Sequence, residues 1–237
     1  MVILSLCFIC MILVTSFFYL GIFLLLLIGG LYFYYYIIIF NKNFQKQRKN
    51  LFDFLFKLTT LTGKERILDL GAGSGFLTIQ FAQHLTSGKV YAVDRYGTST
   101  SNLLIRFLQL VRNNFVFNTL YHAKRNAKIQ KVESKSSFIS KDLSKPLDFK
   151  DNYFDRIVAS EFFYCFPRRN QPILLEEIHR MLKHQGHVLL IEAAFYPRYE
   201  WDINHIITFF KNKNYQIKKK EIDTRIILSL KKPMILP

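Results

Sequence analysis

The first forty residues contain no Asp, Glu, Lys, Arg or His. Thirty-four of the forty are apolar, interrupted only by Ser5, Thr15, Ser16, Gly21, Gly29 and Gly30. Such length without charge excludes an ordinary buried core helix, because a charge-free apolar run beyond about 18 residues is a candidate membrane span. A cleaved leader is disfavoured as well: no basic stretch precedes the run, no small-residue cleavage site is evident, and the run is too long. Forty helical residues would extend about 60 Å, roughly twice the hydrocarbon core of a bilayer. Either two short spans form a hairpin turning near Gly21, or one span carries an apolar extension; the hairpin is preferred.

Cysteine is scarce too. Cys7 and Cys10 lie inside the apolar block and Cys165 stands alone, so no disulfide framework exists, which suits a reducing cytosol. The six histidines (His84, His122, His179, His184, His187 and His205) have neither HExxH nor zinc spacing, and no metal is expected. Acid is missing from NKNFQKQRKN at 41–50, which carries Lys42, Lys46, Arg48 and Lys49. A basic flank beside a span favours the cytoplasmic side, so the remainder of the chain is expected to face the cytosol. The aromatic cluster Tyr32–Tyr36 ahead of it fits an interfacial belt.

All 33 basic and 17 acidic residues fall in residues 41–237, giving a net charge of +16. Beside a membrane anchor, that excess is best matched to anionic lipid headgroups. Nucleic acid is not expected, since no aromatic-plus-basic reader motif is present. A lysine-rich usage without any partner is the other open reading. Three segments result: 1–40, a transmembrane segment of one or two spans; 41–60, a basic juxtamembrane stretch and connecting helix; and 61–237, a soluble domain.

From residue 48 the pattern alternates helix and strand. Leu51, Phe52, Leu55 and Leu58 sit at helical intervals and predict a helix over 48–60, broken by Thr62-Gly63. Strands are expected at 66–70, 90–93, 137–140, 156–160 and 187–194, helices after the glycine turn at 71–75 and over 171–183. A hairpin turning near Asp223 closes the chain. Within this series, ILDLGAGSGF at 67–76 carries the most information. An apolar strand running through glycines into a helix presents backbone amides to a nucleotide-like ligand. A dinucleotide fingerprint starting at Gly71 requires a third glycine where Phe76 stands. Asp94 lies 19 residues past Gly75 at the end of the second strand, placed to accept both hydrogen bonds of a ribose diol. Asp142 follows the third strand, where its side chain can meet an adenine amino group with Leu143 packed on the ring.

The GxGxG turn with Asp69 ahead of it resembles motif I of the class I S-adenosylmethionine-dependent methyltransferases. KDLSKPLDFKDNYFDRIVAS is similar to that family's stretch leading into its fourth strand, and LLEEIHRMLKHQGHVLLIE to its following helix and fifth strand. The resemblance covers roughly residues 50–232 and preserves motif order. It implies a Rossmann-like, mostly parallel seven-stranded α/β sheet with helices on both faces and a C-terminal antiparallel hairpin, preceded here by a transmembrane helix or helical hairpin. It implies S-adenosylmethionine as cofactor, bound by Asp69, Gly71, Ala72, Gly73, Gly75, Asp94, Arg95, Asp142, Leu143 and Ser160, with Asp69 orienting the methionine amino group.

Two features depart from the family pattern. The interval from Asp94 to Asp142 is long, with an apolar, basic helical insertion at 101–126 that suits a lid, a membrane-contacting helix or a sheet cover. The fourth strand is followed by Ser160-Glu161-Phe162-Phe163 rather than an NPPY-type tetrapeptide, which argues against methylation of DNA bases. Methyl transfer from a sulfonium needs positioning more than covalent chemistry. If the acceptor must lose a proton, Glu161 is the best-placed base and Tyr164 the second. The expected activity is methylation of a membrane-associated acceptor: lipid, quinone-like molecule or protein. The alternatives are a non-catalytic, membrane-tethered cofactor-binding module and, disfavoured by Phe76, a nicotinamide oxidoreductase.

Overall fold

The computed structural model describes residues 11, 13–34, 50, 52–53, 55–56, 60–96, 119–193, 203–222 and 224–234, with Cys165 and Ala193 described by backbone alone. The chain divides into two compact units, Met1–Lys57 and Leu58–Pro237. In the first, helix α1 spans Leu13–Tyr34, 22 residues long. That length rises about 33 Å, enough to cross a hydrocarbon core of ~30 Å. The helix passes through Gly21 without a break, so the preferred hairpin does not turn there. With no polar residue to reward a turn, continued helical hydrogen bonding satisfies the backbone more completely. Asn50, Phe52, Asp53, Leu55 and Phe56 are also helical, within the span expected at 48–60. Cys7, Cys10, Tyr35, Tyr36 and the basic flank at 41–49 lie outside the described residues.

The second unit is built on a seven-stranded sheet ordered β3-β2-β1-β4-β5-β7-β6. Its strands are β1 (Arg66–Leu70), β2 (Lys89–Asp94), β3 (Ser136–Ser140), β4 (Phe154–Ser160), β5 (Leu182–Ala193), β6 (Gln216–Ile222) and β7 (Arg225–Lys231). The first five pair in parallel, and β7 pairs antiparallel with both β5 and β6. Helices α2 (Phe76–His84), α3 (Leu120–Ile129), α4 (Gln171–Met181) and α5 (Asn204–Asn212) accompany it. The expected Rossmann-like α/β sheet with its terminal hairpin therefore forms.

Alternation along the strands sorts side chains between the two faces. Leu68, Leu70, Ile157, Ala159, Val188, Leu190, Leu228 and Leu230 share one core with Phe163, Leu174, Ile178 and Phe210. Ile67, Val158, Leu189, Ile191 and Ile227 are equally buried on the other parity, as a parallel sheet covered on both faces requires. At the rim, β6 is an edge strand carrying exposed Lys218, Lys219 and Lys220, charges that discourage pairing with another chain. β5 begins at Leu182, five residues before its expected start, and α4 stops at Met181. Leu182 pairs with Phe154 across an irregularity in the β4 register, and its full burial favours the strand.

Candidate functional site

Strand order reverses between β1 and β4, and the crevice beyond the carboxyl ends of the strands at such a switch point is where open α/β sheets bind ligands. The loop leaving β1 there holds Gly71, Gly73 and Gly75 at φ of +70°, +52° and +81°. All three are in the left-handed region, where a side chain strains the backbone. A Cβ on Gly71 would enter the ring of Phe162, and one on Gly75 would lie 2.8 Å from the Phe138 ring. The Gly71 amide donates to the Val93 carbonyl at 2.9 Å, the Ala72 amide to the same oxygen at 3.4 Å, and the Gly75 amide to the Ala72 carbonyl at 2.8 Å. From α3, Asn126 Nδ2 donates to the Ser74 carbonyl at 3.0 Å. The loop is thereby bound to β2 and to the helix preceding β3.

Asp94 closes the far side of this loop. Its Oδ2 accepts from the Gly73 amide at 2.8 Å and its Oδ1 from the Tyr96 amide at 3.0 Å. Asp69 lies beneath, nearly fully buried, and accepts from the Thr78 hydroxyl at 2.6 Å. It therefore braces α2 against β1. Arg95 has an exposed side chain, while its carbonyl accepts from the Ser140 hydroxyl at 3.1 Å. At the end of β3, Lys141 N donates to the Asp94 carbonyl at 3.1 Å. Asp142 next to it is exposed and takes the Ser144 hydroxyl at 2.7 Å and amide at 3.0 Å; those bonds hold its carboxyl below the usual range. Leu143 turns into the main core, 4% exposed, a placement that leaves it little surface for a ligand ring. Ser160 ends β4 opposite Ile191.

Glu161 follows Ser160 at φ +51°. Its amide donates to the Ile191 carbonyl at 2.7 Å, and its Oε1 receives Arg225 Nε at 2.9 Å and Nη2 at 2.8 Å. An acceptor proton would compete with that arginine for Oε1. Tyr164 lies in the short turn Phe163–Cys165.

Several groups of the site escape a reading of sequence. Glu192, on β5, is fully buried; its Oε1 accepts from the amides of Phe162 at 3.1 Å and Phe163 at 2.8 Å. Burial, with the charge of Glu161 adding, pushes its carboxyl up to about 8 against the amides of Phe163, Phe162 and Tyr164. It fixes the turn that lays Phe162 over Gly71. A lone acid inside the apolar run HVLLIEAA was the available signal. Thr78, Asn126 and Tyr96 had none. Of the insertion at 101–126, residues 101–118 lie outside the described residues.

A cavity of about 410 Å³ lies elsewhere, lined by Asp151, Asn152, Glu176, Glu177, His179, Arg180, His184 and Lys232. It sits at the amino ends of β4 and β5, and its cations are already used. Lys232 Nζ donates to the carbonyls of His179 and Leu182 at 2.7 Å each and to Asn152 Oδ1 at 3.2 Å. Among the described residues no group of His, Cys, Asp and Glu is arranged to hold a metal ion.

The glycine turn at the switch point, with a carboxylate at the end of the neighbouring strand, stands where open α/β sheets take a nucleoside-bearing ligand. A sequence family described as a methyltransferase domain matches residues 68–190, more than half the chain. The chain belongs to that methyltransferase-domain family, with the class I fold and S-adenosylmethionine as cofactor. It is an S-adenosylmethionine-dependent methyltransferase. Among solved structures it is similar to the PH0226 protein of Pyrococcus horikoshii OT3, with TM-score 0.60 and 16% identity over 81% of this chain and 91% of that one. It is also similar to an S-adenosylmethionine-dependent methyltransferase of Aquifex aeolicus, with TM-score 0.54 and 15% identity over 76% and 87% of the two chains. The [4+2]-cyclase SpnF shares the fold at TM-score 0.57 and 14% identity, over 78% of this chain and 81% of its own. The fold by itself therefore does not fix the reaction. No curated protein matches the sequence significantly.

Proposed function

We propose that this methyltransferase is anchored in a membrane by α1, faces the cytoplasm, and methylates a membrane-associated acceptor: a lipid, a quinone-like molecule or a protein. The observation carrying this reading is α1 itself, a charge-free helix of 22 residues whose apolar side chains are exposed all round. A helix apolar on every face has no stable place in water. Anchoring confines the catalytic unit to a thin layer above the bilayer, which raises its effective concentration toward membrane acceptors. The basic flank at 41–49 and the net charge of +16 suit an anionic cytoplasmic leaflet.

In this reading the Gly71–Gly75 loop, Asp94 and Ser160 line the cofactor's position, with Arg95 and Asp142 on its adenine side. Asp69 and Leu143 support it from beneath. The cofactor supplies an activated methyl group; the protein's share is alignment and exclusion of water. Glu161 is the base where the acceptor must lose a proton, released from Arg225 as the acceptor arrives. Native membranes incubated with the enzyme and methyl-labelled S-adenosylmethionine test the proposal. Label recovered in lipid or membrane protein supports it, and label confined to soluble small molecules refutes it. The second reading, a tethered module that binds the cofactor without transferring methyl, rests on Oε1 of Glu161 being occupied by Arg225. Binding of S-adenosylmethionine without label transfer to any fraction would favour it.

A further inference from the structure

Three buried polar side-chain atoms among the described residues lack a hydrogen-bond partner: the Tyr96 hydroxyl, Arg156 Nε and Glu192 Oε2. Buried polar groups are almost always paired, and leaving one unpaired is costly, so each such atom asks for a reason. Arg156 lies in the amino half of β4, away from the crevice, and Glu192 already uses its other oxygen on the Phe162–Phe163 turn. Tyr96 differs from both. It stands two residues beyond Asp94, and its amide is held by Asp94 Oδ1. Its φ of +43° is uncommon for so bulky a residue. That turn directs the ring inward, leaving the residue 6% exposed.

The chemistry around the phenol is one-sided. Burial first, then the charges of Asp94 and Asp69, hold its proton on far above the usual range. At any physiological pH the group is a donor. Three of the nearby carboxylate oxygens already have donors: Asp94 uses Oδ2 for Gly73 and Oδ1 for Tyr96 N, and Asp69 uses Oδ2 for Thr78. An unspent donor thus sits beside an acceptor-only carboxylate. A ribose diol complements that pair, because each hydroxyl can donate to a carboxylate while its lone pairs accept from a phenol.

We propose that Tyr96 is a cofactor-binding residue whose hydroxyl donates to a ribose oxygen of bound S-adenosylmethionine, beside the Asp94 carboxylate. The proposal rests on the placement of the cofactor at the Gly71–Gly75 loop and Asp94 given above. Calorimetry on the full chain in detergent micelles tests it, comparing wild type with Tyr96→Phe. S-adenosylmethionine, S-adenosylhomocysteine and 5′-methylthioadenosine serve as ligands, the last keeping the ribose without the amino-acid end. Affinity of Tyr96→Phe should fall about five- to tenfold for all three, as loss of one buried hydrogen bond predicts. The ligand-free urea midpoint should hold or rise, because the variant removes an unspent buried donor. Equal affinity of wild type and variant overturns the proposal, as does a lowered ligand-free midpoint, which would reveal a structural partner. A loss seen with S-adenosylhomocysteine but not with 5′-methylthioadenosine overturns the ribose assignment. Failure of wild type itself to bind overturns the cofactor placement at this loop; an intact wild type with an indifferent variant overturns Tyr96 alone.

Discussion

Replacing Glu192 by Gln should change how stability depends on pH, in a window set by the burial of its carboxyl. In the folded protein Glu192 keeps its proton up to about pH 8, against an ordinary value of 4.5. Between those values the folded chain holds a proton that the unfolded chain has released, so stability falls as pH rises. Its contribution is fully present below 4.5 and lost once pH passes 8. Each pH unit inside the window is worth up to about 1.4 kcal/mol, and the whole window roughly 5 kcal/mol. His187 opposes it at the lower end. Burial, with Arg156, Lys231 and Lys218, pushes that imidazole from 6.5 down to about 4, so its stability contribution grows as pH rises through the interval. Partial exposure of His187 screens that effect. From pH 6.5 to 8 the two effects separate, and Glu192 acts without that opposition. Gln keeps an oxygen for the Phe162 and Phe163 amides and never ionises. The variant should therefore gain roughly 2 kcal/mol on wild type across that interval. Urea unfolding of the full chain in micelles, followed by far-ultraviolet circular dichroism at half-unit pH steps, measures the difference. A wild-type-minus-variant curve that stays flat from pH 6.5 to 8 refutes the reasoning, since it would mean that Glu192 is already ionised in the fold.

Gly73→Val forces a β-branched residue into φ +52° and crowds the amide that meets Asp94; S-adenosylmethionine binding by calorimetry should disappear while the far-ultraviolet spectrum persists. Lys232→Met removes the donor serving the His179 and Leu182 carbonyls in a site 4% exposed. It should cost roughly 2–4 kcal/mol in urea unfolding, and an unchanged midpoint would show that water takes over those carbonyls. Removing residues 1–40 should move the protein from the alkali-resistant membrane pellet to the supernatant. Transfer to bilayer-embedded acceptors should then drop at least tenfold relative to a water-soluble analogue, and undiminished transfer would deny the anchor its proposed role.

The parts of this fold that were legible in the sequence are those where an apolar run meets strong punctuation. Ile67–Leu70 running into three glycines can only be a buried strand entering a turn, and its register beside β2 and β4 follows from burial on both faces. The antiparallel finish was legible because Gln216–Ile222 and Arg225–Lys231 are separated by only two residues, too few for a parallel crossover. The start of β5 was not, because His184-Gln185-Gly186 has the composition of a surface turn while Leu182 ahead of it pairs with Phe154. Helix α5 was missed as well. Its buried Ile206 and Phe210, four apart, are too few to stand out in nine residues.

At the site, residue type was legible and direction was not. Acids at 69, 94 and 142 read alike in sequence, each closing a strand or lying within its last turn. The fold separates them by what each carboxylate already holds: Thr78 for Asp69, Gly73 for Asp94, Ser144 for Asp142. Asp94 accepts from the glycine loop itself, so in the proposed cofactor placement an incoming diol would exchange a protein hydrogen bond for a ligand one. If the cofactor sits as proposed, the bond from Gly73 N to Asp94 Oδ2 would couple its binding to the loop; Asp94→Asn should then weaken binding while leaving the loop closed, whereas Asp94→Ala should weaken binding and loosen the loop together. Hydrogen exchange at the Gly73 amide distinguishes them: protection kept in Asp94→Asn and lost in Asp94→Ala is the expected result, and equal exchange in both would sever the proposed coupling.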